Sequence, residues 1–247
     1  MKKKNPTSFR LESYGLSDIG LIRPNNEDAF LSMPRYRFFA IADGMGGHNA
    51  GEVASKEAVT HLSTSIKTLI HPQKKANIPT KDLIYHLRSA IDDTNSKIFN
   101  LGNATSAFRG MGTTLSCLYL YEDSVIYAHI GDSRIYRFRE NELKQLTQDH
   151  SVLTESKSQK GAYKYVITRA IGTCFRVEPE IAAVTVQPGD IFVMCTDGLS
   201  DYVSSEEIEA LLKRKSSLQK KAKDLIHSAK SEGSSDNITA LLVKVQR

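Results

Sequence analysis

Short, fully apolar runs alternate along the chain with longer segments in which apolar residues recur every three or four positions. The runs are rich in β-branched and aromatic residues, which is typical of strands buried on both faces. The segments with the longer period predict helices that place one apolar stripe on those strands. Strands are predicted at residues 9–18, 113–121, 124–130, 135–138, 191–196 and 238–245, and another begins at Phe38.

Two pairs of helices are predicted between these strands. The first pair shows apolar stripes over residues 52–69 and over a second segment that Thr80 caps. In the second pair, Ser204 and Glu207 form a capping-box pattern, and a Lys-rich helix covers residues 218–229. The order along the chain is strands, two helices, strands, two helices and a last strand. This order is typical of an α+β domain with helices stacked on antiparallel sheets.

Loop lengths give a coarse topology. The strands at 113–121, 124–130 and 135–138 are separated by short turns, which predicts an antiparallel meander. Residues 151–165 are polar and show no period, so a mobile surface segment is expected there. Without internal repeats or a linker, one domain over residues 9–247 is predicted, preceded by a basic tail of residues 1–8.

Charge and hydropathy argue against several classes of protein. The formal net charge is +5, and three positive charges lie in Lys2, Lys3 and Lys4. No basic stripe with interleaved aromatic residues supports nucleic-acid binding. The lysines are followed by Asn5 rather than an apolar segment, and no apolar stretch reaches membrane-spanning length. A soluble, cytoplasmic protein without membrane partners is therefore expected.

The cysteines agree with that location. Cys117, Cys174 and Cys195 are widely spaced, and two of them lie in apolar runs. An odd number without paired spacing is typical of reduced, buried thiols rather than of a disulfide framework or a zinc site.

The apolar run that starts at Phe38 ends in Asp43 and a glycine-rich turn. At the mouth of a packed sheet, the carboxylate of Asp43 is placed to hold a hard cation rigidly. Asp-Gly is also a common turn pair that simply ends a strand, and for an isolated pair this interpretation is the more frequent one. The decision depends on whether other acids repeat the arrangement.

Three other acids do repeat it. Asp132, Asp197 and Asp236 each lie where an apolar strand begins or ends, beside Gly, Ser or Asn. Carboxylates placed together repel one another, and cations relieve that repulsion. An all-oxygen donor set without matching His or Cys indicates Mg²⁺ or Mn²⁺ rather than zinc. Two such ions about 3.5–4 Å apart activate a water for in-line attack on phosphorus.

The loop of residues 20–28 supplies one arginine and two adjacent acids, Glu27 and Asp28. A solvated polar loop explains these residues without any function. Loops on a rigid scaffold are also favoured places for functional side chains. Beside a metal centre, the planar fork of Arg23 suits bidentate binding of a phosphoryl group.

Eight short motifs carry a resemblance to a known family. They are residues 23–28, 42–48, 112–114, 131–134, 149–151, 168–172, 196–199 and 235–239. In this order they resemble the motifs of the PPM (PP2C-type) metal-dependent Ser/Thr protein phosphatases, especially of the bacterial branch. The resemblance extends from near Asp18 to the C-terminus, and chance agreement over that many ordered motifs is very rare.

This resemblance implies a fold and a metal centre. The fold is an α+β, four-layer α-β-β-α sandwich, in which helices flank two antiparallel sheets. Asp43 is implied to bridge two ions, with the Gly44 carbonyl binding one of them and Asp197 and Asp236 holding the other. Asp132 matches the acid that, together with Asp197, binds a third ion in bacterial members.

Three further residues match the surroundings of that centre. Arg23 matches the arginine that binds the substrate phosphate and, together with Asp43, is implied to be catalytic. Glu27 matches a residue that reaches the centre partly through metal-bound water. Asn237 matches a residue that orients Asp236 or its water network.

Two departures from the family pattern concern the reaction. Animal members place a histidine, proposed as general acid, directly after the Asp-Gly pair, where this chain has Met45. His48 lies three residues further on, and capping or packing of the following helix explains it at least as well. The general acid stays unassigned, with a metal-bound water as the candidate. The flap segment, residues 151–166, is shorter than usual and lacks its second helical portion.

The implied activity is hydrolysis of phosphoserine and phosphothreonine in proteins by metal-activated water, without a phosphoenzyme. The implied cofactors are two Mn²⁺ or Mg²⁺ ions, and the binding of a third ion is left open. The protein is expected to be a monomer. Expected partners are phosphorylated proteins, namely substrates of a Ser/Thr kinase or the kinase itself. The alternatives are a non-catalytic phosphoprotein binder and a phosphatase dedicated to one phosphoserine protein in a partner-switching cascade. Because all four metal acids are present, catalysis is favoured.

Overall fold

The structure is a computed structural model that describes residues 9–46, 50–69, 78–155 and 163–247. Two antiparallel sheets lie face to face. The first has the order β1 (Arg10–Asp18), β13 (Ile238–Gln246), β12 (Ile191–Cys195), β7 (Arg134–Arg139) and β8 (Glu142–Gln145). The second has the order β11 (Glu180–Thr185), β6 (Ser124–Ile130), β5 (Leu115–Tyr121), β3 (Phe38–Met45) and β2 (Asp28–Met33), and β4 (Gly112–Thr113) also pairs with β3.

Helices cover the outer face of each sheet. Helices α1 (Ala50–Leu69) and α2 (Thr80–Ala104) share a buried apolar cluster with the second sheet. Helices α4 (Ser205–Lys213) and α5 (Leu218–Ser231) share one with the first sheet, and the short α3 (Asp197–Ser200) follows β12. The predicted four-layer α-β-β-α sandwich is confirmed.

The central core explains why the strands are apolar throughout. In β3, Phe39 and Ile41 face the other sheet, whereas Phe38 and Ala40 face the helices. In β12, Phe192 and Met194 meet them from the first sheet. Successive side chains of a strand point to opposite faces, and here each face is covered, so no polar alternation is needed.

Helix starts agree with the sequence in one case and differ in another. The Ser204 hydroxyl accepts a hydrogen bond from the Glu207 backbone N–H at 3.2 Å, which confirms the predicted cap of α4. The prediction for α2 was wrong, because Thr80 is its first helical residue. The cap position belongs to Pro79, and no side chain caps it.

The predicted meander is also wrong. Strands β5 and β6 form a hairpin, but β7 pairs with β12 and β8 in the other sheet. The chain crosses between the sheets at Gly131, whose φ of 106° is in the region that favours glycine. A mobile surface segment without periodic pattern was expected at residues 151–165, of which residues 156–162 lie outside the described part of the chain. On either side of them, β9 (Ser151–Glu155) and β10 (Tyr163–Ile167) form a two-stranded sheet of their own.

Cys117 and Cys195 are buried free thiols, as expected, but Cys174 is exposed, contrary to the prediction. It lies after Gly172 in a loop rather than in a strand. The predicted basic tail falls outside the described residues. Within the described ranges, no helix combines the length and hydropathy needed to cross a membrane.

Candidate metal centre

The four predicted acids meet at one end of the sandwich. Asp43 lies near the end of β3, Asp132 in the crossing from β6 to β7, Asp197 at the start of α3 and Asp236 just before β13. The carboxylates of Asp132, Asp197 and Asp236 all repel that of Asp43 electrostatically. The fold therefore brings together side chains from both sheets that are far apart in sequence.

Burial, followed by this repulsion, disfavours the charged form of the acids. The pKa of Asp43 lies well above its ordinary value, because protein surrounds its carboxyl and four other aspartates face it. The pKa of Asp132 is raised to about 7 by burial and then by Asp197. Burial and Asp236 raise the pKa of Asp197 to about 6. A divalent cation would remove the penalty of holding these groups ionised side by side.

Unpaired oxygen atoms test whether these residues fit a cation. Oδ1 of Asp132 and Oδ1 of Asp197 are buried and have no hydrogen-bond partner. Buried polar atoms without partners are uncommon, and here both belong to carboxylates, the donors that Mg²⁺ and Mn²⁺ prefer. In the part of the chain that the structure describes, no three His, Cys, Asp or Glu side chains are arranged so that they hold one ion together. These carboxylate oxygens thus suit a hard divalent cation, although the acids lie next to one another and do not surround a single position.

The backbone of Asp43 is fixed on both sides. Its N–H donates to the Thr114 hydroxyl at 2.9 Å, and its carbonyl accepts from the Thr113 hydroxyl and from the Thr114 N–H, both at 2.8 Å. The Thr114 hydroxyl also shares a hydrogen bond with that of Ser133 at 2.7 Å. Gly131 has no room for a side chain, since a Cβ there would lie 2.6 Å from Thr114 Cγ2. These contacts hold Asp43 next to the crossing that carries Asp132.

A fifth acid, Asp28, links the two sheets beneath the centre. It pairs directly with Asp43 across β2 and β3. Its Oδ2 accepts hydrogen bonds from the hydroxyls of Thr196 at 2.8 Å and Thr239 at 2.7 Å. Thr196 directly precedes Asp197, and Thr239 lies in β13. Burial is the main reason that the pKa of Asp28 rises to about 7.

Asn237 ties the loop of residues 19–27 to the start of β13. Its side-chain amide donates to the carbonyls of Ile19 and Asn25, both at 2.9 Å, and its Oδ1 accepts from the Glu27 N–H at 2.8 Å. Its own backbone N–H donates to Asp236 Oδ1 at 2.7 Å. The Asn237 side chain thus positions the loop that carries Glu27, while its backbone orients Asp236.

Glycines let the segments that carry the acids approach closely. A Cβ on Gly44 would lie 2.0 Å from the Gly51 carbonyl oxygen, and one on Gly51 would lie 2.3 Å from Glu27 Oε2. The Gly44 N–H donates to the Glu27 carbonyl at 3.1 Å. A Cβ on Gly198 would lie 2.0 Å from the Asn237 carbonyl oxygen. Backbone therefore touches backbone on both sides of the acids.

Arg23 reaches the same place from the loop. Its Nη2 donates to Asp236 Oδ2 at 2.7 Å, and half of its side chain is exposed. The guanidinium thus lies at the edge of the acidic cluster, with free donors toward solvent. Met45, the last residue of β3, pairs with Gly112, whereas His48 falls outside the described residues.

A cavity of about 630 Å³ opens beside Asp132. Arg134 forms one wall, and its guanidinium is held by Asp149, with Nε 3.0 Å from Oδ1 and Nη2 2.7 Å from Oδ2. Tyr165 of β10 and Asp201 also line the cavity. It is large enough to admit a side chain of a second protein next to the acids.

A family model described as protein phosphatase 2C matches residues 24–243. The chain belongs to the protein phosphatase 2C family. The sequence of this phosphatase is 36% identical over 240 residues to "Serine/threonine phosphatase stp" of Listeria welshimeri, which covers 92% of this chain and 93% of that protein.

Solved structures agree. This phosphatase superposes on the S. agalactiae serine/threonine phosphatase with a TM-score of 0.83 and 34% identity, covering 96% of this chain and 100% of that one. The catalytic domain of the phosphatase PstP, in complex with two manganese ions, gives a TM-score of 0.80 and 32% identity, covering 97% and 100%. The family predicted from the sequence motifs, with its sandwich fold, is confirmed.

Several residues that position the centre were not predicted. Asp28 lies in one of the eight motifs, but its surroundings predict only a polar loop, and its partners Thr196 and Thr239 are 168 and 211 residues away. The available signal was an acid directly ahead of an apolar strand, which is the pattern that singled out Asp236. Thr114 also lies in one of the eight motifs, residues 112–114, but nothing singled out its hydroxyl, because a hydroxyl in an apolar strand is common.

Proposed function

We propose that this phosphatase hydrolyses phosphoserine and phosphothreonine in proteins at a centre of two divalent cations, Mn²⁺ or Mg²⁺. The observation that carries the proposal is the meeting of five aspartates, two of them with unpaired buried oxygens, beside an arginine with free donors. When bound, two such ions lower the pKa of a water and hold it for in-line attack on phosphorus. The two manganese ions of the related PstP domain support this assignment.

Each acid has a proposed task. Asp43 would contact both ions, the Gly44 carbonyl one of them, and Asp197 and Asp236 the other. Asp132 is proposed to hold a third ion with Asp197, which is supported by the unpaired Oδ1 on each. Hydrogen bonds fix the backbone of Asp43 and the carboxylate of Asp236, so little reorganisation is needed when substrate arrives, which is how a preorganised site lowers an activation barrier.

Glu27 and Asn237 would act around the ions rather than on them. Glu27 is held at its N–H by Asn237 and at its carboxylate by the Asn25 amide, 3.3 Å from Oε1. In this position it can accept a hydrogen bond from water in the centre. Asn237 holds that loop, which also carries Arg23, next to Asp236.

Arg23 is proposed to grip the phosphoryl group. Its guanidinium already binds one carboxylate oxygen of Asp236 and retains donors that face solvent. A phosphoryl oxygen pair matches this fork in geometry and charge, and the interaction neutralises charge on the group under attack. Met45 has no dissociable proton, so the leaving alkoxide must receive its proton from water or from another side chain.

We further propose that residues 9–247 act as one catalytic domain, with residues 1–8 as a basic tail, and that the protein is a cytoplasmic monomer. Its substrates would be products of a Ser/Thr protein kinase, and the kinase itself would be among them. The span of the family match, residues 24–243, supports the single domain, and the buried free thiols Cys117 and Cys195 support the cytoplasmic location.

The test is dephosphorylation of a phosphothreonine peptide with Mn²⁺, with a chelator, and by Asp197→Asn. Turnover should require Mn²⁺ and should be lost in the variant, because Asp197 would no longer be an anionic ligand. Asp93→Asn, an exposed change on α2, is the matched control and should behave as wild type. Turnover that survives the chelator or Asp197→Asn would overturn the mechanism. Mn²⁺ binding without turnover on a broad phosphopeptide panel would indicate a non-catalytic phosphoprotein binder.

A further inference from the structure

Three large aliphatic side chains stand in solvent next to Arg23. In the loop that leads from β1 to Arg23, Ile19 is 41% exposed, Leu21 59% and Ile22 71%. Single exposed apolar residues are ordinary on a protein surface, but three within four positions form a patch that calls for an explanation. No part of the catalytic mechanism uses these side chains.

The loop that presents them is fixed rather than loose. The Asp18 carboxylate accepts from the Gly20 N–H at 2.9 Å and from Lys230 Nζ at 2.9 and 3.1 Å. Gly20 has a φ of 80° and touches the neighbouring segment, since a Cβ there would lie 2.1 Å from the Asp236 carbonyl oxygen. With Asn237 holding the Ile19 carbonyl as well, the exposure of Leu21 and Ile22 is a property of the folded loop.

The loop lies beside the arginine that is proposed to bind the phosphoryl group. Ile22 directly precedes Arg23, whose guanidinium lies 2.7 Å from Asp236 Oδ2. A phosphorylated residue bound at Arg23 therefore has its neighbouring residues close to the loop. An extended peptide advances about 3.3 Å per residue, so residues within two or three positions of the phosphorylated one come within reach of Leu21 and Ile22.

We propose that Leu21 and Ile22 form a docking lip for an aliphatic side chain that flanks the phosphorylated residue of the substrate protein. The proposal rests on the proposed phosphatase function and narrows its substrate class to phosphoproteins with an apolar residue close to phosphoserine or phosphothreonine. The rigid loop lowers the entropic cost of that contact, because its backbone is ordered before the substrate binds. Burying one aliphatic side chain on the lip corresponds to about a tenfold gain in kcat/KM.

The test compares two phosphothreonine peptides that differ only in Leu or Ser at the two positions on either side of the phosphothreonine. Wild-type protein with Mn²⁺ should favour the Leu peptide by about tenfold in kcat/KM. The double variant Leu21→Ser/Ile22→Ser should bring this ratio close to one. Because the ratio is taken within each variant, a general loss of activity cancels. Tyr85→Ser, which removes a side chain that is 69% exposed on α2, should keep the wild-type ratio.

The outcomes separate the lip from the proposed function. A wild-type protein that hydrolyses both peptides equally, or a double variant that keeps the preference, overturns the lip and leaves the phosphatase assignment intact. A wild-type protein inactive on both peptides overturns the phosphatase assignment and the lip with it. If sedimentation velocity shows a wild-type dimer that the double variant abolishes, while the peptide ratio stays the same, the patch is an interface between two copies of the chain and the lip is refuted.

Discussion

Gly198 gives the sharpest test of how the centre is built. It follows Asp197 in α3, and its missing side chain lets the turn rest on the segment that carries Asp236 and Asn237. In Gly198→Ala the new Cβ would lie 2.0 Å from the Asn237 carbonyl oxygen, whereas ordinary contact begins at 3.4 Å. The two segments must therefore move apart by about 1.4 Å, and overpacking of this kind costs about 1–3 kcal/mol of stability.

The expected effect on activity is larger than the effect on stability. Asp197 and Asp236 sit on the two segments that separate, and a displacement of about 1 Å in a catalytic constellation costs about a hundredfold in rate. We therefore expect kcat/KM of Gly198→Ala on a phosphothreonine peptide, measured with saturating Mn²⁺, to fall about a hundredfold. Urea unfolding monitored by circular dichroism should show a folded protein with a lower midpoint.

Gly189→Ala is the matched control. Gly189 lies in the turn ahead of β12, at the end opposite Asp197, with a φ of 99° and open space around it, since a Cβ there would meet no atom within 4 Å. Its substitution should lower stability by about 1–2 kcal/mol through backbone strain alone and leave kcat/KM unchanged. A Gly198→Ala protein with wild-type kcat/KM would refute the reasoning, and an equal loss of activity in both variants would assign the effect to stability instead.

Three further predictions address the surrounding structure. Thr196→Val removes a hydroxyl from the buried carboxylate of Asp28 and should lower the free energy of unfolding by about 2 kcal/mol in urea; an unchanged midpoint would contradict the role of this hydrogen bond. Burial, and then the neighbouring His150, lowers the pKa of His129 to about 4, whereas the pKa of a histidine in an unfolded chain is 6.5. The neutral side chain therefore stabilises the fold above pH 6.5, and this contribution is lost as the pH falls toward 4. His129→Gln should flatten the decline of Tm over that interval, and a decline as steep as in wild type would argue against it. Asn95→Ala removes the donor to the carbonyls of Cys174 and Phe175, so the loop should open more often and trypsin should cleave faster at Arg176, which is already exposed; a digestion rate like that of wild type would count against this anchoring role.

The sequence was sufficient for features that depend on local pattern. The strand from Ile191 and the helix capped by Ser204 follow from short apolar runs and from one hydroxyl at the right spacing. The acids at strand ends were found in the same way, because each breaks an apolar run beside a small residue. That these acids lie close together in space was inferred from the chemistry of carboxylates and cations, and the structure does bring Asp43, Asp132 and Asp197 together.

Features that depend on distant partners could not be read from the sequence. Strands β6 and β7 look like neighbours in a meander, because hydropathy carries no information about which sheet a strand joins. The crossing depends on the backbone conformation of Gly131 and on its contact with Thr114. Strand β8 was missed because its side chains are mostly exposed and polar, and Asp28 because the hydroxyls that hold it come from other parts of the chain.

The hydrogen bonds that Thr196 and Thr239 donate to Asp28 also affect the stage of folding at which the molecule becomes active. The acids lie near residues 43, 132, 197 and 236, so no contiguous fragment shorter than most of the chain contains them all. Contacts of such long sequence separation form late, because loop closure must precede them. A nascent or proteolysed chain in which one sheet has folded without the other would carry only half of the donor groups. Hydrolysis would therefore begin only when the last strand, β13, docks, which makes activity a direct measure of completed folding.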